Sequence, residues 1–325
     1  METVVISSGE SSAVEGAAKL LRSGKLVAVP TETVYGLAGD ATNEKAVAEI
    51  FTVKERPYFD PLILHLPDHS WIERLTALNA EHIGLVNALV QNFWPGPLTL
   101  LLPKSSRVSD LVTASLPTVA IRMPANATLQ AILGRAGIPV AAPSANRFGR
   151  VSPTTAQHVL DELGTRIPLI VDDGPTQVGV ESTIVEPRGD RLLLHRPGPV
   201  TENMLAAFGV VETPVLDGLV KAPGQTQSHY APDKRLVLID SGVVPPDADS
   251  AALLSWGDNP NASRFQVVTS LSKSRDLVEA ASKLFASLRA LDRAPVNVIY
   301  VERVPETGIG KAIMNRLQRA AREAR

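Results

Sequence analysis

Lys54-Glu55-Arg56-Pro57 and Ser144-Ala145-Asn146 each place two polar side chains at i and i+2. In extended backbone that spacing turns both to one face. The first pair offers a compact ammonium and a planar guanidinium fork. The second offers a hydroxyl and an amide, able to donate or accept. Two cations opposite two neutral hydrogen-bonders suit a polyphosphate better than an apolar core. Alone, the pairs could also be a solvated charge pair and a turn, because motifs this short match by accident. Thr31-Glu32-Thr33-Val34-Tyr35-Gly36 adds polar residues after an apolar run closed by Pro30. Open α/β sheets gather ligands at such strand ends.

The elements that must position these residues can be read from period and punctuation. Leu26-Val27-Ala28-Val29 reads as a buried strand. A helix from about Asn43 to Val53 leads into the basic pair. Before both, Ser12-Ala13-Val14-Glu15 forms a capping box for a helix with Ala17, Ala18, Leu20 and Leu21 inward, stopped by Gly24. Strand-like runs follow at 62–66, 98–102, 118–122, 138–142, 168–172, 183–186 and 191–195, and helical patterns at 80–92, 126–136 and 154–163. Helices and strands alternate, with several strands in direct succession, so an α/β fold with a mixed sheet and helices packed on it is expected over residues 1–208. Residues 209–232 carry Pro and Gly without a period and read as a linker. Strands near 236–239, 252–254, 265–268 and 296–301, with helices at 276–291 and after Gly310, predict a small α/β, Rossmann-like domain over 233–325 with a parallel sheet.

Composition narrows the classes. The 325 residues are 44% hydrophobic and 20% charged, with a net charge of -2. That excludes a global attraction to nucleic acid or to an anionic membrane. Residues 233–325 hold 14 Lys+Arg and 11 Asp+Glu, a net of +3, and the remainder holds 18 and 23, a net of -5. With no cysteine there is no disulfide, thiolate metal site or cysteine nucleophile. The N-terminal residues lack a basic segment leading into an apolar run, and no apolar stretch approaches a membrane span of roughly 18 residues. A soluble cytoplasmic protein with no membrane partner is expected.

Five motifs in order make the reading specific. They are Pro30-Thr31-Glu32-Thr33-Val34-Tyr35-Gly36-Leu37, Lys54-x-Arg56-Pro57, Trp94-Pro95-Gly96-Pro97-Leu98-Thr99, Pro143-Ser144-Ala145-Asn146 and Glu181-Ser182-Thr183-Ile184-Val185. Together they resemble the YrdC family over nearly all of residues 8–205. His229-Tyr230-Ala231-Pro232 and the domain containing Asn315 resemble the long form of that family. The resemblance implies a YrdC-like twisted sheet and a nucleotidyl-transfer reaction. L-threonine, bicarbonate and ATP (with Mg²⁺) would give threonylcarbamoyl-adenylate, pyrophosphate and water. The adenylate would serve threonylcarbamoyl-adenosine formation beside the tRNA anticodon, so a downstream transferase and tRNA are implied partners.

The same resemblance implies residue roles. Lys54, Arg56, Ser144 and Asn146 would be catalytic. Arg56, Asp60, Thr118, Ser144, Ser152, Arg196 and Tyr230 would bind ATP, with Tyr230 as a lid. Thr33, His65, Arg122, the Ala142 backbone and Ser182 would bind threonine, Arg122 taking its carboxylate. No protein side chain is assigned to a metal. Read from the residues alone, His65 could be a core histidine, Arg122 and Arg196 exposed strand ends, and Ser152 the N-cap of the helix after Pro153. Two departures stand out. Family members usually carry asparagine at Asp60, so this carboxylate would either meet the metal or turn away. The stretch Gln225-Thr226-Gln227-Ser228 is neutral where relatives often carry Lys or Arg, which predicts weaker contact with phosphates.

Other signals carry less. Gly308-Ile309-Gly310-Lys311 lacks the full phosphate-loop spacing, and the six histidines show no metal-ligand pattern. Arg316, Arg319 and Arg322 recur every three residues and read as a solvated face, or else as a tRNA or partner contact. The competing functions are an RNA-binding module of the same fold, disfavoured by the acidic balance before residue 233, and a carbamoyl-phosphate-dependent enzyme, whose relatives carry cysteine motifs absent here.

Overall fold

The computed structural model describes residues 2–214, 220–225 and 229–321. Helix α1 (Ser11–Arg22) begins two residues earlier than its capping box predicts. Glu10 occupies the cap position without a side-chain bond, so Ser12 lies inside the first turn and the box does not form. Ala13, Ala17, Ala18 and Leu21 are buried, while Leu20 is half-buried. Helix α2 (Glu44–Lys54) is capped by Asn43, whose side chain accepts from Lys45 N and Ala46 N, and it ends at Glu55 with φ 55°. Lys54 is therefore the last helical residue rather than part of an extended strand.

The first sheet has eleven strands: β1 (Val4–Ser7), β2 (Val27–Val29), β3 (Gly36–Asp40), β4 (Ile63–His65), β5 (Leu98–Pro103), β6 (Thr118–Arg122), β7 (Val140–Ala141), β8 (Leu169–Asp172), β9 (Thr183–Arg188), β10 (Arg191–Arg196) and β11 (Val210–Glu212). Their order is β1-β8-β2-β3-β7-β4-β6-β5-β9-β10-β11, with parallel and antiparallel neighbours mixed. Helices α3 (Ser70–Leu75), α4 (Ala80–Phe93), α5 (Asp110–Thr113), α6 (Ala127–Ala136), α7 (Ala156–Leu163) and α8 (Glu202–Leu205) complete this part. Strand β11 lies inside the segment read as linker and pairs with β10. Residues 215–219 and 226–228 of that segment fall outside the described residues, and so does Arg322.

The second sheet is all parallel, β12 (Arg235–Ile239), β13 (Ala252–Ser255), β14 (Val267–Ser270) and β15 (Val298–Glu302), in the order β12-β15-β13-β14. Helices α9 (Leu277–Arg293) and α10 (Gly310–Ala320) pack on it. Val34, Val151 and Val180 of the first domain share one apolar cluster with Tyr230 and with Phe285 and Leu284 of α9. Gly179, at φ 78°, lets the chain pass this close, since a Cβ there would lie 2.4 Å from Ala281 O.

The uneven charge of the sequence is spent at this contact. Arg289 meets Glu162 at 3.1 Å, Arg316 meets Glu181 at 2.8 Å, and Arg293 and Lys311 pair with Asp161 and Glu202. Bases of the second domain thus face acids of the first; Arg150–Asp233 runs the other way. Among the described residues no helix is long and apolar enough to cross a membrane.

Candidate active site

The two polar motifs meet, though not as facing rows. The Lys54 ammonium, 1% exposed, donates to the carbonyl oxygens of Ser144 and Asn146. Phe148 N donates to Lys54 O, and Leu37 N and Ala145 N bond to Pro143 O and Tyr35 O. Lys54 therefore fastens the 144–146 loop to the end of α2, and the loop is strapped to the start of β3. Burial pushes the Lys54 ammonium well below its usual range, with Arg56 adding to the shift. The Asn146 amide nitrogen donates to Arg147 O (2.7 Å) and Arg150 O (2.9 Å), and its Oδ1 is buried without a partner.

Arg56 turns toward the loop that follows it. Its Nε donates to Asp60 O (3.1 Å) and Nη2 to Pro61 O (2.8 Å), and Nη2 lies 2.9 Å from the Asp60 carboxylate. Asp60 has turned away from the cavity to this guanidinium.

A cavity of about 50 Å³ lies beside these groups. Parallel β4 and β6 put His65 and Arg122 in register on one face. Arg122 donates from Nε to Gly96 O and from Nη1 to Thr33 Oγ1, both at 3.1 Å, and its Nη2 pairs with Glu32. Two N–H donors of the fork are thus hydrogen-bonded, and Nη2 is buried beside Glu32 without a hydrogen-bond partner. His65 Nδ1 is buried without a hydrogen-bond partner, and burial, helped by Arg122, pushes the imidazole down to about 3. Across the cavity Arg196 donates to Ser182 O (2.9 Å), Ser182 Oγ (3.0 Å) and Pro223 O (3.3 Å). Gly224, His229 and Tyr230 close the remaining side, and His229 Nδ1 is also buried and unpartnered.

Of the residues predicted for the site, the fold brings Thr33, Arg56, His65, Arg122, Ala142, Ser144, Ser182, Arg196 and Tyr230 to this cavity. Lys54, Asp60 and Asn146 stand behind that lining, and Thr118, half-buried at the start of β6, is not part of it. Ser152 is fully buried with its hydroxyl on Glu181 Oε1 at 2.5 Å. It is not a helix cap: Thr155 accepts from His158 N and starts α7. Nor is the last helix a solvated basic face, because Arg316 is 1% exposed. Gln225 does not point outward either; its Oε1 accepts from Lys221 N and Ala222 N and its Nε2 reaches His195. Sequence reasoning gave Thr31, Glu181, Gly224 and His229 no role in the lining. Glu181 carried a signal, being the first residue of the motif read only for Ser182.

Comparison with known proteins shows what the chain as a whole is similar to. Residues 19–198 match the Sua5/YciO/YrdC family model, described as telomere recombination, and residues 200–322 match the threonylcarbamoyl-AMP synthase C-terminal domain. A threonylcarbamoyl-AMP synthase of Bacillus subtilis is 40% identical, over 94% of this chain and 92% of the relative. Its counterpart from Pyrococcus abyssi is 39% identical, over 94% and 93%. The crystal structure of P. abyssi Sua5 complexed with L-threonine superposes with a TM-score of 0.87 at 36% identity, covering 98% of each chain.

Proposed function

The chain belongs to the Sua5/YciO/YrdC family, and we propose that its cavity is where the threonylcarbamoyl-AMP synthase reaction takes place. The reaction joins L-threonine, bicarbonate and ATP into threonylcarbamoyl-adenylate and releases pyrophosphate, the step that supplies threonylcarbamoyl-adenosine synthesis on tRNA. The observation that carries the site assignment is the convergence of Arg56, Arg122 and Arg196 with an unpartnered His65 Nδ1 on one cavity.

In this reading the threonine carboxylate takes the remaining donors of Arg122. His65, neutral at physiological pH, offers a hydrogen bond rather than a charge, and Thr33 and Ser182 supply hydroxyls. Threonine's amine takes up bicarbonate as a carbamate with loss of water. A carbamate oxygen then attacks the α-phosphorus and pyrophosphate leaves. Arg56 and Ser144 hold phosphates, while Lys54 and Asn146 act by fixing the loop that carries Ser144. Such chemistry needs positioning and charge stabilisation more than a covalent intermediate. Mg²⁺ enters this reading with the triphosphate.

Ligand pockets run to roughly 300 Å³ and above, so a cavity of about 50 Å³ would have to widen to take ATP. A tRNA-dependent transferase would consume the product, and a cytoplasmic setting suits both that partner and a cysteine-free chain. The test is pyrophosphate release with threonine and bicarbonate omitted in turn. Release that needs both supports the reading; release that needs neither, from folded protein, overturns it.

A further inference from the structure

Arg316 is the largest fully buried side chain and stands on α10, in a domain that contributes no strand to the catalytic sheet. Every donor of its guanidinium for which a bond is seen is committed at or near the cavity wall. Nε donates to Glu181 Oε2 at 2.8 Å and Nη2 to Glu181 O at 3.4 Å. Nη1 donates to Pro197 O at 2.8 Å and to Asn315 Oδ1 at 3.1 Å. The guanidinium carbon also lies 5.5 Å from the centre of the Tyr230 ring, within cation–π range. Glu181 lines the cavity, accepts from Ser152 on its other oxygen, and precedes Ser182. Pro197 follows Arg196. One side chain of the second domain therefore holds the neighbours of two cavity residues and the face of a third.

The charge at this point is the reason for such an anchor. Glu181 puts a carboxylate on the wall of a cavity that, in the reading above, takes a polyanion. Unpaired, it would repel the nucleotide at short range in a low-dielectric setting. Arg316, which is not part of the cavity lining, meets it at Oε2. We infer that Arg316 is a positioning residue through which the second domain neutralises Glu181 and holds Tyr230, making the cavity fit for ATP. The inference rests on the synthase reading.

Pyrophosphate release by full-length Arg316→Gln, Glu181→Gln and the double variant tests it, with thermal unfolding run alongside. Arg316→Gln is expected to raise the KM for ATP on the order of tenfold or more, because a desolvated charge has lost its partner. The KM for threonine, a zwitterion without net charge, should rise much less. Glu181→Gln on the same background should recover most of the ATP effect. A purely structural role would lower the unfolding temperature, affect both substrates alike and show no recovery. Unchanged ATP KM in Arg316→Gln, or no recovery in the double variant, overturns the inference. If Arg316→Gln does not fold, Glu181→Gln alone decides: the ATP KM must fall, and an unchanged or raised KM overturns the inference. Wild-type protein without any substrate-dependent release would instead sink the synthase reading.

Discussion

Arg56 and Asp60 form a buried ion pair at 2.9 Å, one turn of chain apart and both less than a tenth exposed. In the proposed reading the carboxylate would compete with a phosphate for the same guanidinium. Burial raises the Asp60 carboxyl above its usual range, and Arg56 opposes that shift. An asparagine here would keep the shape and remove the charge.

Asp60→Asn is therefore expected to lower the KM for ATP by roughly three- to tenfold, the scale of a close charge pair that is partly compensated. It should also cost stability, up to about 3 kcal/mol, because Arg56 loses a buried partner. Steady-state pyrophosphate release and urea unfolding measure the two effects. A higher KM for ATP in a folded variant would mean the carboxylate assists nucleotide binding.

Lys54→Met separates fastening from phosphate binding. The change keeps an unbranched side chain but strips a donor from Ser144 O, which keeps Asn146 N, and from Asn146 O, a carbonyl that costs about 1–3 kcal/mol when left buried and unpaired. The urea midpoint should fall accordingly, and kcat should fall as Ser144 loses its fixed position. A variant with wild-type stability would show that the ammonium is not what secures the loop.

Much of this was legible in advance. Thr118–Arg122 and the parallel second sheet follow their apolar runs closely. Strand β3 was not, because Gly36, Ala38 and Gly39 give it neither alternation nor β-branched bulk. Its narrowness is a packing requirement: a Cβ on Gly39 would sit 2.8 Å from Leu26 Cδ2. The polar pairs were found by spacing, but their partners are backbone carbonyls and distant side chains, which no local period encodes. Arg316 is the clearest case. Its three-residue spacing with Arg319 looks like a solvated face, and only the docking of α10 against Glu181 shows otherwise.

His65 gives a pH signature. Its folded value of about 3 lies below the unfolded value near 6.5, so between these values the unfolded chain binds more protons. This contribution is fully present above the unfolded value and is lost as pH falls from 6.5 toward 3. The slope reaches about 1.4 kcal/mol per pH unit at its steepest. His65→Asn should flatten that part of the urea-stability profile between pH 6.5 and 4. Equal slopes in wild type and variant would place the acid sensitivity elsewhere.

Gly224 tests closure of the cavity without replacing a polar side chain. Its φ of 81° favours glycine, and a Cβ there would lie 2.5 Å from the Tyr230 hydroxyl and 3.4 Å from Arg196 Nη1. Gly224→Ala must therefore displace the tyrosine or shift the turn that Gln225 ties to Lys221 N and Ala222 N. The backbone strain alone is about 1–2 kcal/mol, small against whole-domain stability, so the fold should survive. Closure should not: with Tyr230 held off, water reaches the cavity and Arg196 loses its packed neighbour. We expect kcat to fall at least tenfold while the unfolding temperature drops by only a few degrees. Tryptic cleavage after Lys221 should also become faster, since the segment is no longer held against the cavity. Wild-type kcat together with unchanged cleavage would show that Tyr230 need not pack against Gly224 for turnover.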